Sequence, residues 1–176
     1  MVQNLLKCCF VHHICLHYRL SQDDIILCLI RTWLLTGELY LRLGQIEAAE
    51  LCANEARQVC DARHVCTGTR YLSFCGQVFP LSYLILYLKG AIHQAREEWA
   101  AAKSCYQNAL SIYPRHLQSL QSLGLVHLEL GSQRLAEMTL RSAIRLDPNN
   151  HVSWYNLGLV MEVRTLPFIF KDRAIK

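Results

Sequence analysis

The sequence predicts an all-α fold, a right-handed α-solenoid in which helix–turn–helix units stack on one another. The main observation is one constant interval, which separates Gly90 from Gly124 and also Gly124 from Gly158. Alanine and proline keep the same interval, in the pairs Ala102 and Ala136, Ala109 and Ala143, and Pro114 and Pro148. Alanines seven residues apart fall on one helical face, and Gly37, Gly124 and Gly158 are expected to let a neighbouring helix approach closely. Several residue types in one register indicate a chain of similar helical units.

The first unit is predicted over residues 24–60, after an N-terminal extension at 1–23. Gly37 and Gly90 stand further apart than one repeat period but closer than two. The additional residues are expected to form an inserted loop over 61–82, because glycine and proline interrupt that stretch. The insertion therefore separates the first unit from the rest of the array.

The remaining units are predicted to follow one another without interruption. They are repeat 2 at 83–116, repeat 3 at 117–150, a partial repeat 4 at 151–166 and a tail at 167–176. Gly44 and Gly131 lie between the two helices of their units, where a left-handed residue ends the first helix. Pro114 and Pro148 end second helices, and Pro167 stands where the second helix of repeat 4 should run.

Two motifs resemble a known repeat. Trp33, Gly37 and Tyr40 have the spacing of an opening W-x3-G-x2-Y motif. Trp154 and Gly158 have the first part of the same spacing. The closing half of the motif is formed by Ala102, Tyr106, Ala109 and Pro114. The sequence thus resembles the tetratricopeptide repeat, a helix–turn–helix of about 34 residues, most closely over repeats 2 and 3.

A narrower resemblance covers residues 33–56 and 106–160, which are similar to the C-terminal repeats of the tetratricopeptide repeat domain seven family. That family scaffolds a phosphatidylinositol 4-kinase complex at the plasma membrane. The resemblance implies a non-enzymatic scaffold that holds protein partners, including lipid-kinase complex subunits, and that is cytoplasmic or peripheral at the plasma membrane through them. The alternatives are a generic tetratricopeptide adaptor and a co-chaperone module that recognises an acidic C-terminal peptide.

Composition limits the classes of function. The net charge is +4 and the charges are scattered, so there is no basic stripe suited to a phosphate backbone and nucleic-acid binding is not expected. Nine cysteines, an odd number with irregular spacing, favour reduced thiols in the cytosol over a disulfide framework. The longest apolar runs fall short of the roughly 20 residues that cross a bilayer. We therefore expect neither a membrane-spanning helix nor a secretory signal.

No motif for catalysis is found in the sequence. It lacks the glycine-rich phosphate and dinucleotide loops and the zinc-protease helix, and its cysteines have no Cys-His signature around them. We expect no enzymatic activity, no cofactor and no metal. The single candidate metal cluster is Cys8, Cys9, His12, His13, Cys15 and His17. These residue types bind zinc, but no second ligand pair stands at a fixed spacing, so a leader helix or extension is preferred over zinc binding.

The first helix of each unit in a stacked array lines the concave surface, where partners bind. By resemblance, the exposed lining that binds a partner is predicted to be Arg31, Leu34, Glu38, Arg42, Tyr87, Gln94, Gln121, Leu125, Leu128, Glu129, Tyr155 and Leu159. Its occupant is expected to be a helix or an extended peptide. Packing between repeats explains several leucines equally well, whereas Tyr87 and Tyr155 are stronger candidates because an amphipathic ring suits an interface. The inner positions of repeats 2 and 3 carry no lysine or arginine, which argues against an acidic peptide.

The last unit is expected to expose apolar surface. Its residues 151–163 contain one formally charged side chain, Glu162, and six large apolar residues that cannot all face inward from one helix. This end is predicted to be either a docking surface for a partner helix or a truncation of a longer array. Because exposed apolar patches associate, the isolated chain is expected to self-associate.

Overall fold

The computed structural model describes residues 22–66 and 82–173, with side chains described for 27–60 and 82–163. The described residues form seven α-helices and no strand, so the predicted all-α fold is confirmed. The helices are α1 (Gln22–Arg42), α2 (Ile46–Cys66), α3 (Ser82–Ala95), α4 (Trp99–Ile112), α5 (Leu117–Glu129), α6 (Gln133–Leu146) and α7 (His151–Arg173). They belong to two compact units, residues 1–85 and 86–176. None of these helices is long and apolar enough to cross a membrane.

The first unit is built on the pair α1 and α2, which pack against each other. The side of α2 that is buried carries small residues, since Ala49, Ala53 and Ala56 are each 0% exposed. Small side chains at these positions allow two helices to lie close together, as the alanine spacing predicts. The helix α2 continues to Cys66 and thus extends into the predicted insertion, while residues 67–81 lie outside the described residues.

The second unit repeats one packing arrangement twice. In the first cluster, Leu123 and Val126 of α5 are buried against Ala102 and Tyr106 of α4. In the second cluster, Val160 of α7 is buried against α6. Each first helix of a repeat therefore lies against the second helix of the preceding repeat, as expected for stacked units. The predicted alanine faces are confirmed, because all four of their members here, Ala102, Ala109, Ala136 and Ala143, are fully buried.

The turns between the paired helices share one hydrogen-bond pattern. In each turn one backbone N–H donates a hydrogen bond to the carbonyl oxygen five residues earlier. The donors are Gln45, Glu98 and Ser132, at distances of 2.9, 2.9 and 2.8 Å. Gly44 and Gly131 take positive φ angles of 74° and 71°, which confirms the predicted left-handed turns. In repeat 2 the same position is held by Glu97 with φ 61°. A side chain in this conformation costs roughly 1–2 kcal/mol, so this turn is strained.

Two of the repeated glycines permit close contact between helices. A Cβ atom on Gly90 would lie 2.6 Å from Cε1 of Tyr106, and one on Gly124 would lie 2.6 Å from Cγ of Leu140. Gly158 differs, because no described atom outside its own helix lies within 4 Å of its Cβ position. The expectation that Gly158 admits a close neighbouring helix is therefore wrong for the described residues, which provide no helix to cover it. A glycine inside a helix costs about 1 kcal/mol relative to alanine.

The last helix is longer than the sequence suggests. The predicted boundary between a partial repeat 4 at 151–166 and a tail at 167–176 falls inside α7, which runs without a break to Arg173. Pro167 lacks an N–H group and so removes one helical hydrogen bond, which usually ends a helix. Here the backbone remains helical on both sides of that residue.

Candidate protein-interaction surface

The predicted lining of the first unit is only partly exposed. Arg31 and Arg42 are exposed, and the guanidinium of Arg42 donates to the Glu38 carboxylate at 2.9 Å, one turn away on the same helix. Leu34, in contrast, is only 9% exposed and belongs to the core. The prediction that Leu34 is an exposed lining residue is wrong, because this face of α1 is covered in the folded unit.

A stripe of exposed leucines on α1 is absent from the predicted lining. Leu35, Leu39 and Leu43 are 62%, 57% and 70% exposed, and their spacing of four residues places them along one side of the helix. In the repeat register Leu39 corresponds to Val126 and Val160, which are 0% and 1% exposed. The stripe is visible in the sequence as an apolar i, i+4, i+8 series, but the same series is typical of a buried helix face.

On α3 two predicted lining residues contact α4. The ring of Tyr87 is half-buried, with its centroid 5.9 Å from that of Tyr106 and 5.2 Å from that of His116, the latter edge to face. The amide oxygen of Gln94 accepts a hydrogen bond from the Tyr106 hydroxyl at 2.8 Å. These contacts stabilise repeat 2 and at the same time fix the orientation of the side chains that remain partly accessible.

The lining of α5 is mixed in character. Gln121 donates from Nε2 to Oδ1 of Asn150 at 2.9 Å and to Oγ of Ser153 at 2.8 Å, which ties α5 to the start of α7. Leu128 packs against the buried cluster between α6 and α7. Leu125 is half-buried and Glu129 is exposed. The structure therefore assigns packing contacts to Gln121 and Leu128 and leaves Leu125 and Glu129 more accessible.

The start of α7 carries the most exposed aromatic residue of the predicted lining. Tyr155 is 67% exposed, the adjacent Trp154 is 54% exposed, and Leu159 is half-buried. The indole N–H of Trp154 donates to the carbonyl oxygen of Pro148 at 2.8 Å, which holds the ring against the preceding turn. The expectation of exposed apolar surface at this end is confirmed by these two aromatic residues.

Several titratable groups are buried in the second unit, and burial favours their uncharged forms. Burial lowers the pKa of His116, whose Nδ1 lies 2.7 Å from Oγ of Ser119. Burial and the positive charge of Lys103 lower the pKa of His127, and the Nδ1 of His127 has no hydrogen-bond partner in the described residues. Burial also raises the pKa of Tyr106. Neutral groups of this kind form part of a packed core.

The side chains that could ligate a metal are dispersed in the described part of the chain. Within residues 27–60 and 82–163, where side chains are described, no group of three or more His, Cys, Asp or Glu residues is arranged to hold a metal ion. The N-terminal Cys/His cluster, Cys8 to His17, lies outside the described residues. Zinc binding by that cluster therefore stays an untested alternative.

The helix pairs, the shared turns and the exposed first-helix surface define a repeat scaffold for protein interactions. Residues 82–149 match the family model described as tetratricopeptide repeat. The second tetratricopeptide domain of human RPAP3, solved in complex with an HSP70 peptide, superimposes with a TM-score of 0.56 at 12% identity, covering 77% of this chain and 98% of that domain. The predicted fold and the resemblance to the tetratricopeptide repeat are confirmed, and residues 82–149 are tetratricopeptide repeats.

Two curated human proteins show which tetratricopeptide-repeat proteins this chain is similar to. Human tetratricopeptide repeat protein 7B is 31% identical over 136 residues, which are 77% of this chain and 14% of that protein. Human tetratricopeptide repeat protein 7A is 27% identical over 132 residues, which are 75% of this chain and 13% of that protein. The resemblance to the domain seven family is thereby confirmed. The chain spans about one seventh of the length of these curated relatives.

Proposed function

We propose that this chain is a non-enzymatic scaffold within a complex that places a phosphatidylinositol 4-kinase at the plasma membrane. The kinase assignment is supported by the similarity to tetratricopeptide repeat protein 7B over 77% of the chain. Since the matched residues make up only about one seventh of these relatives, the activity proposed here is that of a segment contributing contacts to a larger assembly. The chain acts in the cytoplasm and reaches the membrane through its partners.

The observation that carries the scaffold role is the arrangement of first-helix side chains in the second unit. Tyr87, Gln121 and Tyr155 occupy the same position in three successive repeats, and Leu125 and Leu159 occupy a neighbouring one. The first set supplies rings and an amide, and the second supplies aliphatic surface. A partner helix or an extended peptide with alternating polar and apolar groups is complementary to such a surface.

The test is recovery of the kinase with the full chain expressed in cultured cells. We expect Tyr155→Ala to reduce the recovered phosphatidylinositol 4-kinase at least fivefold, because Tyr155 is 67% exposed and is the most accessible aromatic residue of the lining. The matched control is Met138→Ala, which truncates a side chain that is 60% exposed on the second helix of repeat 3. Failure of the intact chain to recover the kinase contradicts the kinase assignment. Equal recovery with both variants contradicts the lining.

The alternative is a generic adaptor or a co-chaperone module. The similar RPAP3 domain was solved with an HSP70 peptide, but at 12% identity this likeness concerns the fold. An acidic C-terminal peptide needs lysine or arginine side chains around its carboxylates. The lining positions of repeats 2 and 3 offer tyrosine, glutamine and leucine instead. We expect calorimetry with an acidic C-terminal pentapeptide to give a Kd weaker than about 10 μM, which corresponds to roughly −7 kcal/mol.

A further inference from the structure

The side of α7 that carries Gly158 is the one first-helix face of the second unit that the described residues leave uncovered. We define this Gly158 face by three residues at successive turns, Trp154, Gly158 and Met161, with Leu157 at its edge against α6. Trp154 is 54% exposed, and the space above Gly158 is open within 4 Å. The face is distinct from the concave lining, which on α7 is formed by Tyr155 and Leu159.

The corresponding faces of α3 and α5 are each covered by a large side chain from the second helix of the same repeat. Over Gly90 lies the ring of Tyr106, and over Gly124 lies the side chain of Leu140, each at a separation that leaves no room for a Cβ atom. Each covering residue stands four positions after one alanine and three positions before another, and all of these alanines are fully buried. A large side chain between two small ones lets the covering helix lie close to the glycine.

We propose that the Gly158 face is a docking site for an amphipathic helix supplied by another protein. The partner helix carries a large apolar residue with alanine or another small residue four positions before it and three positions after it. It lies antiparallel to α7, as second helices do in a helix–turn–helix, and places the large residue over Gly158.

Two features of α7 support this occupant. Leu157 and Val160 already pack against the cluster of Ala136 and Leu140, so the Gly158 face continues an interface that is formed. In addition, glycine weakens a helix wherever no close contact compensates for it. At Gly90 and Gly124 a covering side chain uses the missing Cβ, whereas at Gly158 the described chain does not. A partner helix would use the space in the same manner.

A second copy of the chain is a poorer occupant. The helices that carry the required pattern are α4 and α6, and their large residues, Tyr106 and Leu140, are each 0% exposed. A second copy could offer either helix only by breaking its own repeat. The site therefore fits a helix whose large apolar residue is not already buried in its own protein. This proposal does not depend on the proposed kinase complex.

The test uses a labelled peptide with the sequence of residues 133–146, which reproduces α6 and its alanine-flanked Leu140. A crosslink between the positions of Arg141 and Arg145, both exposed in α6, keeps the peptide helical. Binding to the full chain is followed by fluorescence anisotropy. We expect Gly158→Leu to weaken binding at least tenfold, because the new side chain fills the docking space. The peptide carrying Leu140→Ala is expected to lose affinity by a similar factor.

The control on the chain is Val152→Leu, which places the same leucine side chain at an exposed residue outside the Gly158 face and should leave the peptide affinity within twofold. Thermal melting of Gly158→Leu should show no loss of stability, since nothing described lies within 4 Å of that position. Absence of peptide binding up to 1 mM, or equal binding by Gly158→Leu, overturns the proposal. Sedimentation showing a dimer that Gly158→Leu abolishes also overturns it, by assigning the face to a second copy.

Discussion

Repeats 2 and 3 have the same helix positions but different side chains at their centres. In repeat 2 the residue over the glycine is Tyr106, whose hydroxyl donates to Gln94, and in repeat 3 it is Leu140, which forms no such bond. Both side chains are 0% exposed and stand equally close to their glycines. In both repeats a large residue lies over a small one, while the polar contact beside that pair is present in repeat 2 and absent in repeat 3.

The buried polar groups of the two repeats differ as well. His116 directly precedes α5, and its Nδ1 is paired with Oγ of Ser119. The Nδ1 of His127, inside α5, has no partner among the described residues although its side chain is buried. A buried polar atom without a partner typically costs about 1–3 kcal/mol. His127 stands at the repeat position that His93 occupies in repeat 2, and repeat 3 therefore tolerates this free-energy penalty there.

The largest expected effect comes from removing the covering side chains themselves. Tyr106→Ala should lower the free energy of unfolding by about 3–5 kcal/mol and Leu140→Ala by about 2–5 kcal/mol, through lost burial and the cavity that remains. Urea denaturation followed by circular dichroism measures both. Tyr106→Phe serves as the control, since it keeps the ring and loses only the hydrogen bond to Gln94. A loss below about 1 kcal/mol for either alanine variant contradicts the packing described here.

The three repeated glycines should respond to alanine with opposite signs. Gly90→Ala and Gly124→Ala should each cost about 1–3 kcal/mol, because the added Cβ meets a fully buried side chain at 2.6 Å. Gly158→Ala should instead raise the free energy of unfolding by up to about 1 kcal/mol, because it improves helix propensity in open space. Melting temperatures of the three variants compare them directly. Destabilisation by Gly158→Ala would show that this face is covered in solution.

Acid should weaken the folded state through the two buried histidines. Burial lowers the pKa of His116 and of His127 from the ordinary value of 6.5, so below that pH the unfolded chain binds more protons than the folded chain. The free energy of unfolding should therefore fall as pH decreases from 7.5 to 5.5, by at most about 1.4 kcal/mol per pH unit for each histidine. His127→Leu should flatten this dependence in urea titrations at several pH values. An unchanged slope would exclude His127 as a contributor.

The smallest expected effect distinguishes the turns. Glu97→Gly should raise the free energy of unfolding by about 1 kcal/mol, because glycine takes the observed φ of 61° without steric cost. The reciprocal change, Gly131→Glu, should lower it by a similar amount. Differential scanning calorimetry of the pair provides the measurement. If both variants moved the melting temperature in the same direction, the left-handed conformation would not be the cause.

The sequence predicts well those features that the repeat imposes at every copy. Gly44, Gly131 and the buried alanines are predictable because each satisfies a local steric requirement that returns from one repeat to the next. The prediction that Leu34 is exposed is wrong because the repeat register identifies its position on the helix but does not determine how much of its side chain a neighbouring helix buries. The open space at Gly158 depends on what lies beside α7, which no local pattern encodes. The helix through Pro167 goes against the local preference of proline, which predicts a helix end there.

The contact between Gln121 and the start of α7 has a consequence for the order of folding. Asn150 caps α7 by accepting the Ser153 N–H at 3.2 Å, and Gln121 donates to the same amide oxygen at 2.9 Å. The start signal of the last helix is thus completed by a residue of an earlier one. α7 is expected to gain its full protection against hydrogen exchange only after α5 has formed, so that order spreads along the array toward this end.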